Sequence, residues 1–344
     1  MEKKWEIWLH TEPDVDAITG FWLLKKLGEK KFPGIAMATI KLVPTGGDLP
    51  GGLTAYELEE RGIICVDTGG GRFDHHPQEE HPEECAATLV AKYLEVDDDP
   101  ALDQILRFVA NHDLKGSAHP FDVGSICKMY YSVHPDNPAK VIGWVIDALE
   151  VKYQEQFMFF SETRKEYEEN AKIVGVVLAN GETFRVVTIA SDDRHVAKYA
   201  RYQGAAVVIV RQSTGHTQIM TQNRFRLRLD DIAAMMRLEE QKAKGTVQTT
   251  DWERLRAKGK VLGAEEWYYH EMEALLNGSF TAPKVPPTRL SLERITELVI
   301  LGVNYTYFPN GTCSKEGFCV GERCSYYPYG LQRCRKLRWD ARQK

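Results

Sequence analysis

The sequence lacks several features that would place a protein at once among membrane, secreted or repetitive classes. No apolar stretch approaches the ~20 residues that a bilayer-spanning helix needs, and the N-terminus has no signal-peptide apolar region. We therefore expect a cytoplasmic protein with no membrane partner. No internal repeat or low-complexity tract is present, and a formal net charge of −5 excludes a global basic field for nucleic acid.

Cysteine is scarce and unevenly placed. Three of the seven cysteines are scattered and expected to be reduced thiols, whereas the other four crowd into 22 residues near the C-terminus. The clustered cysteines are Cys313, Cys319, Cys324 and Cys334. In an intracellular chain such clustering favours a metal-binding site over disulfide bonds. Four thiolates suit a structural Zn²⁺, but the spacing departs from paired C-x₂-C, so an iron–sulfur cluster stays open.

The same C-terminal stretch is rich in aromatic and basic residues. Residues 333–344 carry six basic residues against one acidic residue. Rings that stack bases beside cations that meet phosphates are typical of surfaces that bind single-stranded nucleic acid. The alternative is a small metal-stapled cap with an exposed basic rim.

The composition is that of a soluble globular protein, with 43% hydrophobic and 27% charged residues. At this length about two domains are expected. Apolar runs predict strands over 5–10, 36–44 and 62–67, and helical spacing predicts helices over 17–30, 85–96 and 100–113. Strands that alternate with helices indicate an α/β fold with a parallel sheet covered on both faces.

The rest of the chain predicts a second α/β segment. A charged helical stretch over 139–172 is followed by predicted strands at 173–179, 184–190 and 205–212 and a helix at 195–204. HTQIMTQ and NRFRLRL predict a hairpin strand pair, and 291–300 predicts a last helix. The predicted division is a metal-binding catalytic domain (1–140), a helical connector (141–172), a smaller substrate-binding α/β domain (173–300) and a Cys-rich basic module (301–344).

Candidate metal ligands lie where chemistry gathers in a parallel sheet, beyond the carboxyl ends of the strands. They are His10, Asp14 and Asp16 after the first strand, Asp67 after the third, Asp74, His75 and His76 after a glycine bend, and Asp113 on a later helix. Oxygen and imidazole ligands suit Mn²⁺, Mg²⁺ or Co²⁺. With a bridging carboxylate, two such ions ~3.5–4 Å apart can activate water for attack at phosphorus. The alternatives are helix capping by Asp14 or Asp16 and an ordinary polar turn at DHH.

Four separated motifs carry a resemblance to a known family. HTEPDVDAITG, ICVDTGG, FDHHP and NHD fall in order between residues 5 and 115, and ECAATLV follows DHH as a small-residue helix. This set resembles the DHH phosphoesterase superfamily, which includes RecJ-type exonucleases, oligoribonucleases, cyclic-dinucleotide phosphodiesterases and family II inorganic pyrophosphatases. The short spacing from Asp67 to Asp74 also resembles a second exonuclease group of eukaryotes and bacteria, whose first motif differs.

The resemblance implies a role for each matching position. His10 and Asp14 would hold one ion, Asp67 would bridge to a second, and Asp16, His75 and Asp113 would complete the second set. His76 would face the substrate phosphate, and Asp74 would orient a histidine. The loose NHD context leaves Asn111 or His112 open as alternatives to Asp113.

Two features of the second domain match a substrate-binding role. RQSTGHTQI offers Gly215 and His216 as a degenerate form of the family's glycine-rich phosphate loop, with an ordinary β-turn as the alternative. Arg224, Arg226 and Arg228 alternate with apolar residues, so as a strand they would share one face and could contact a phosphate backbone. The alternative is an edge strand protected by charge.

The expected function is therefore that of a phosphodiesterase using two Mn²⁺, Mg²⁺ or Co²⁺ ions, and the four clustered cysteines are a candidate site for one structural Zn²⁺. Its expected partner is single-stranded nucleic acid or a short oligonucleotide. A phosphatase for pyrophosphate, polyphosphate, pAp or a cyclic dinucleotide is the first alternative, and a non-catalytic nucleic-acid-binding protein is the second.

Overall fold

A computed structural model of the chain describes residues 4–44, 49–76, 83–177, 181–279, 281–303, 313 and 319–334. The chain divides into two compact units, Met1–Phe160 and Ser161–Lys344, and the division falls inside the predicted helical stretch. Each unit combines helices with a sheet, which confirms the predicted α/β class. Across the described residues, no helix is both long and apolar enough to cross a membrane.

A three-stranded parallel sheet lies at the centre of the first unit. Its strands, in the order β2-β1-β3, all fall within predicted strand segments. They are β1 (Glu6–His10), β2 (Thr39–Val43) and β3 (Ile63–Cys65). Because the strands are parallel, their carboxyl ends meet at one edge of the sheet, where His10 closes β1 beside Val43 of β2.

Helices cover both faces of this sheet, as predicted. They are α1 (Val15–Leu27), α2 (Ala55–Glu60), α3 (Ala86–Leu94), α4 (Asp103–Lys115), α5 (Val123–Val133) and α6 (Pro138–Met158). Ile7 and Leu9 of β1 belong to the larger core with α1, α3 and α4. Trp8 points to the other face, where it packs with Leu58 of α2. The period-two alternation of a strand thus divides β1 between two apolar layers.

The predicted connector is in part a core element. Val141, Val145 and Leu149 of α6 are buried in the core of the first unit. Helical spacing places these three side chains on one stripe, and burial of that stripe fixes α6 against the unit. Residues 141–160 therefore belong to the first unit rather than to a linker.

The second unit is built on a mixed six-stranded sheet in the order β4-β5-β6-β7-β9-β8. Its strands are β4 (Lys172–Val177), β5 (Thr183–Ala190), β6 (Ala205–Arg211), β7 (Thr217–Thr221), β8 (Trp267–His270) and β9 (Ala274–Asn277). Its helices are α7 (Arg164–Asn170), α8 (Val196–Tyr202), α9 (Asp230–Ala243), α10 (Trp252–Arg256) and α11 (Leu292–Val303). β4, β5, α8 and β6 lie where the sequence predicts them.

The predicted strand over NRFRLRL is wrong. Asn223–Phe225 forms a single 3₁₀ turn, and Arg226 has a left-handed φ of 49°, which breaks an extended strand. The hydrogen-bonded neighbours of β7 are β6 and β9 instead. Leu227 and Leu229 are buried in the core of the unit, so apolar residues at alternate positions here reflect anchoring of a loop.

The described part of 301–344 belongs to the second unit and does not form a separate module. Tyr329 and Leu331 are buried in the core of that unit, and the Arg256 guanidinium donates to the Gly330 carbonyl. The second unit therefore runs over Ser161–Lys344 and includes both the predicted α/β domain and the region of the predicted module.

Arg237 is a buried cation that organises the second unit. Its side chain is fully buried on α9, and its guanidinium donates to four backbone carbonyls. The carbonyls belong to Leu255, Ala257, Gly259 and Trp267. These bonds tie the irregular chain after α10 and the start of β8 to one helix.

We expect Arg237→Met to lower the free energy of unfolding of the second unit by about 3 kcal/mol or more, because several buried carbonyls lose their donor. Urea denaturation followed by tryptophan fluorescence measures the change. Arg254→Met, at an exposed position on α10, is the matched control and should unfold like the wild type. Equal stability of the two variants would contradict the role given to Arg237.

Candidate metal centre

All six predicted metal ligands meet at the carboxyl edge of the first sheet. Their ligand atoms form overlapping groups in which the atoms of each group lie within 4.8 Å of one another. The groups are His10–Asp14–Asp67, Asp16–His75–Asp113 and Asp67–His75–His76. Within the described residues these are the only such groups of His, Cys, Asp and Glu.

Asp67 lies between the groups. Its Oδ2 is 3.4 Å from His10 Nε2, and its Oδ1 is 3.4 Å from both His75 Nε2 and His76 Nδ1. The two oxygens of one carboxylate thus face different sets of ligands. This is the arrangement that a bridging ligand requires.

The glycine bend after β3 sets the position of Asp67 and of the DHH segment. Asp67 has a left-handed φ of 54°, and Gly69 and Gly70 have φ values of 81° and 66°. The Asp67 amide donates to the Phe73 carbonyl, which closes the bend. Phe73 is buried and packs edge-on against Tyr93. The apolar anchor at Phe73 returns the chain, so the residues after it reach the end of β3.

Asp14 and Asp16 differ in what holds them. Asp14 is the N-cap of α1, where its Oδ1 accepts from the amides of Asp16 and Ala17. It is also a member of the His10 group, so the capping and ligand interpretations are compatible. Asp16 is fully buried and accepts from the first two amides of α3, those of Ala86 and Ala87, each at 2.8 Å.

Asp74 orients His76 and is not itself in a ligand group. Asp74 is buried, and its Oδ1 lies 3.0 Å from His76 Nδ1 and accepts from the His76 amide. Its Oδ2 accepts from the Gly70 amide, which ties the residue to the glycine bend. The His76 side chain remains 64% exposed. A ring held at Nδ1 presents Nε2 to whatever enters from solvent.

The structure distinguishes Asp113 from His112 in the NHD motif. Asp113 Oδ2 lies 3.4 Å from His75 Nε2, on the side of α4 that faces the other ligands. His112 is buried away from the cluster, 3.7 Å from Asp122 Oδ1 and against Gly124. A Cβ at position 124 would lie 2.5 Å from His112 Nε2, so Gly124 makes room for that ring. Asp113 is therefore the candidate ligand from this motif, and His112 packs inside the unit.

Burial and mutual repulsion make the ionised carboxylates unfavourable. Burial raises the pKa of Asp16 to about 7, and the charge of Asp67 adds to this shift. Burial and the charge of Asp14 also raise the pKa of Asp113. Both groups thus resist ionisation in the absence of a further positive charge.

The histidines offset part of the repulsion among the carboxylates. Burial alone would raise the pKa of Asp67, but the adjacent His10 and His75 hold that pKa below its usual value. In turn the Asp67 carboxylate raises the pKa of His75 to about 9, against the opposing effect of burial. The pKa of His10 is raised as well: burial would lower it, and the contacts with Asp67 and the Thr11 carbonyl outweigh burial.

The donor set fits divalent cations. Oδ1 of Asp67 and Oδ2 of Asp113 are buried and accept no well-aligned hydrogen bond within the described chain. In the same part of the chain, histidines are the only cationic partners of the clustered aspartates, with no lysine or arginine among them. Unsatisfied carboxylate oxygens beside imidazoles are the ligands that Mn²⁺ and related ions take.

The predicted phosphate loop is closed by structural bonds. His216 is buried, with Nε2 2.7 Å from the Val285 carbonyl and Nδ1 2.9 Å from Thr214 Oγ1. Gly215 has a φ of 85° in the turn between β6 and β7. Because both ring nitrogens already have partners, this geometry does not support the predicted contact of His216 and Gly215 with substrate.

The three predicted arginines do not share a face, since no strand forms there. Arg228 is exposed and lies 3.3 Å from Asp230, and Arg226 is an exposed residue in the left-handed turn. Arg224 is exposed and its guanidinium lies 4.7 Å from the centre of the Phe225 ring. The predicted arrangement of three guanidiniums on one face of a strand is therefore wrong, although Arg224 lines a groove of the second unit.

The four clustered cysteines form no ligand group among the described residues. Cys313 is buried, Cys319 and Cys324 are half-buried, and Cys334 packs against the apolar core of the second unit. The structure gives no support to a zinc or iron–sulfur site, which stays a prediction from spacing.

The backbone amides that hold Asp16 could not be identified from side-chain motifs. The small residues of ECAATLV are the available signal, because Ala86 and Ala87 let the first turn of α3 approach a buried carboxylate. An exposed helix N-terminus with two small residues would give the same pattern. The pairing therefore depends on contacts between residues that are about seventy positions apart.

Comparisons with known proteins add little. No protein-family model matches this chain, and no curated protein matches it either. Among solved structures the chain is similar to the crystal structure of an uncharacterized protein from Helicobacter pylori G27. The identity is 10% and the TM-score is 0.26, over 88% of this chain and 99% of that one.

We expect the metal-free protein to lose stability as the pH rises from about 6 to about 9. The pKa of Asp16 is about 7 and that of His75 about 9, both above their unfolded values. Such groups stabilise the folded state below their unfolded pKa, and the contribution is lost as pH rises through the folded pKa. Added Mn²⁺ should reverse the loss because it binds the deprotonated ligands.

Thermal unfolding at about pH 6 and at about pH 9, measured with a chelator and with Mn²⁺, checks this expectation. Asp113→Asn should raise the melting temperature of the chelated protein at high pH, since it removes one repelling charge. Asp103→Asn, an exposed carboxyl on the same helix, is the control and should melt like the wild type. A melting temperature that climbs with pH in chelator would contradict the electrostatic account.

Proposed function

We propose that this protein is a divalent-metal-dependent phosphodiesterase that hydrolyses single-stranded nucleic acid or short oligonucleotides. The observation that carries the proposal is the pair of ligand groups joined through the two oxygens of Asp67. The ordered motifs that resemble the DHH phosphoesterases agree with it. Two Mn²⁺, Mg²⁺ or Co²⁺ ions held by these ligands would neutralise the carboxylates, activate water and stabilise charge on a phosphoryl group.

The residues of the chain divide the remaining work. Asp16 is held rigidly by the amides of α3, and Asp67 by the bend that Phe73 closes. Rigid carboxylates keep the ligand geometry constant while substrate enters, which lowers the reorganisation needed during reaction. Asp67 and Asp16 therefore act chiefly by position.

His76 is the candidate for contact with substrate. It is the exposed member of the cluster, and Asp74 holds it at Nδ1. With its proton on Nδ1, facing Asp74, the neutral ring leaves Nε2 as an acceptor for a proton of the attacking water. If the ring is protonated, Nε2–H donates to a phosphate oxygen or to the leaving oxygen.

Charge favours a diester over pyrophosphate as the substrate. A phosphodiester carries one negative charge per phosphate, which bound dications can neutralise. Pyrophosphate carries more charge on a smaller group and calls for lysines or arginines beside the metal ligands. Among the described residues, no such side chain pairs with the clustered aspartates.

We expect Mn²⁺-dependent cleavage of labelled single-stranded RNA, single-stranded DNA or short oligonucleotides, and little release of phosphate from pyrophosphate. The panel should also contain pAp and cyclic dinucleotides, each assayed with Mn²⁺ and with a chelator. Hydrolysis of pyrophosphate with no cleavage of any other member of the panel would contradict the nuclease assignment. No turnover of any member with Mn²⁺ present would favour a binding protein.

The aspartate variants test the site itself. Asp67→Asn should abolish the activity because it weakens ligation on both sides, and Asp113→Asn should lower it by roughly 100-fold or more. Asp103→Asn, on the same helix as Asp113 but exposed, should retain activity within about twofold, as expected for a surface change. Near-normal turnover by Asp67→Asn would contradict the bridging role.

Asp74→Asn separates positioning of His76 from metal binding. An amide cannot hold the ring as a carboxylate does, so we expect kcat to fall by about 10–100-fold. Titration with Mn²⁺ should give a dissociation constant close to that of the wild type, since Asp74 lies outside the ligand groups. A large loss of Mn²⁺ affinity with unchanged kcat would show that Asp74 is instead a ligand.

A further inference from the structure

An open groove of about 800 Å³ lies on the sheet of the second unit, and Arg224 is the one residue of its lining that the sequence analysis singles out. One wall is α8, and the opposite wall is the turn between β8 and β9. Met220, Ala274 and Leu276 form the floor. The groove is at the Thr221 end of β7, whereas the loop of Gly215 and His216 is at the other end of that strand.

The floor follows from strand alternation. Ile219 of β7 points into the core shared with α9 and α11, so its neighbour Met220 points to the opposite face. Met220 pairs in register with Ala274 of β9, which places both side chains on that face. α8 packs against β6, the strand next to β7, and covers it. The face over β7 and β9 is left as an apolar floor beside a helix.

Cations border this floor. Lys198, Arg201 and Tyr202 lie at helical spacing on one side of α8, and Arg224 approaches from the 3₁₀ turn after β7. No aspartate or glutamate is among the described residues that line the groove. The lining therefore carries a positive charge beside apolar and aromatic surface.

Arg201 is a partly desolvated cation at the edge of the groove. It is half-buried, and burial lowers the pKa of its guanidinium. Within the described chain, Arg201 has neither a carboxylate partner nor a side-chain hydrogen bond. A cation that has lost part of its hydration without gaining a partner is unfavourable, and an anion in the groove would relieve it.

Two polar groups add hydrogen-bonding capacity. Gln222 Oε1 is buried and has no hydrogen-bond partner in the described structure, although its residue lines the groove. His270 accepts the Met272 amide at Nδ1, so its neutral ring carries the proton on Nε2 as a donor. The groove thus offers one acceptor and one donor beside its cations.

We propose that this groove binds a segment of single-stranded nucleic acid, with phosphates at Arg201 and Arg224 and a base against Tyr202. The Tyr202 side chain is 63% exposed, and a ring beside cations is typical of surfaces where bases stack and phosphates pair. An acidic peptide would meet the cations but would leave the ring and the apolar floor without planar partners. The bound strand would be the substrate of the proposed phosphodiesterase, so the inference rests on that function, although strand binding is measurable without catalysis.

The test measures binding of fluorescein-labelled oligothymidylate and oligouridylate of about twelve nucleotides, a length within the range that single-strand-binding surfaces occupy. Anisotropy titrations use the full chain in chelator, so no metal-dependent cleavage occurs. Arg201→Gln with Arg224→Gln should weaken binding at least about tenfold and reduce the slope of log affinity against log salt by about 1.4. Arg254→Gln, which removes one charge at an exposed position of α10, should stay within about twofold.

Aromatic replacement tests the base contact. Tyr202→Phe should bind like the wild type, whereas Tyr202→Leu should lose about tenfold in affinity because it removes a stacking surface. Circular dichroism confirms that each variant is folded, and Arg224→Gln alone, at an exposed position, provides a variant with little risk to folding. Its expected loss is about threefold to tenfold, in line with one phosphate contact.

The outcomes separate the groove from the proposed enzyme. Two results would overturn the groove assignment. One is binding of the strand by the arginine variants with wild-type affinity, and the other is displacement of the labelled strand by poly-glutamate as effectively as by unlabelled strand. Hydrolysis of bis(p-nitrophenyl) phosphate with Mn²⁺ by the wild-type chain reports on the first unit without a need for strand binding. Loss of strand binding in those variants, with no Mn²⁺-dependent hydrolysis by any form of the protein, would support the groove and overturn the phosphodiesterase.

Discussion

Repulsion among carboxylates at the carboxyl edge of a small parallel sheet is the constraint on which the first unit depends. Asp16 is fully buried, Asp67 nearly so, and Asp113 lies beside them with an unsatisfied oxygen. Removing such charges from water costs several kcal/mol per ion unless a counter-charge is close. The three histidines beside them, His10, His75 and His76, supply only part of that charge, because each must be protonated to do so. Divalent cations would complete the balance, so folding of this edge and binding of metal would be coupled.

The architecture meets that constraint with backbone groups. Asp16 takes two amides from the start of α3, where the helix dipole also favours a negative charge. Asp67 sits at a left-handed φ that costs a non-glycine residue about 1–3 kcal/mol. The bend that ends at buried Phe73 holds it there. Backbone strain at a carboxylate that contacts histidines on both sides is the kind of feature that clusters at functional sites.

Much of the first unit could be predicted because its signals are local. The ligands other than Asp113 lie at a strand end or in the segment after one, and parallel strands bring their ends together whatever the length of the helices between them. Elsewhere the deciding contacts are distant in sequence. The partner that occupies His216 is a carbonyl at Val285, and the apolar alternation after Asn223 comes from loop residues that are buried by α9 and not by a strand. The spacing of four cysteines likewise does not determine whether their sulfur atoms converge.

Each unit, taken by itself, carries uncompensated charge of the opposite sign. Among the described residues, the clustered carboxylates of the first unit have histidines as their only cationic partners, and Arg201 of the second unit has no carboxylate partner. A divalent ion would compensate the first charge, and a phosphate would compensate the second. A phosphodiester strand carries groups for both, because its phosphates can ligate a metal ion and can pair with a guanidinium.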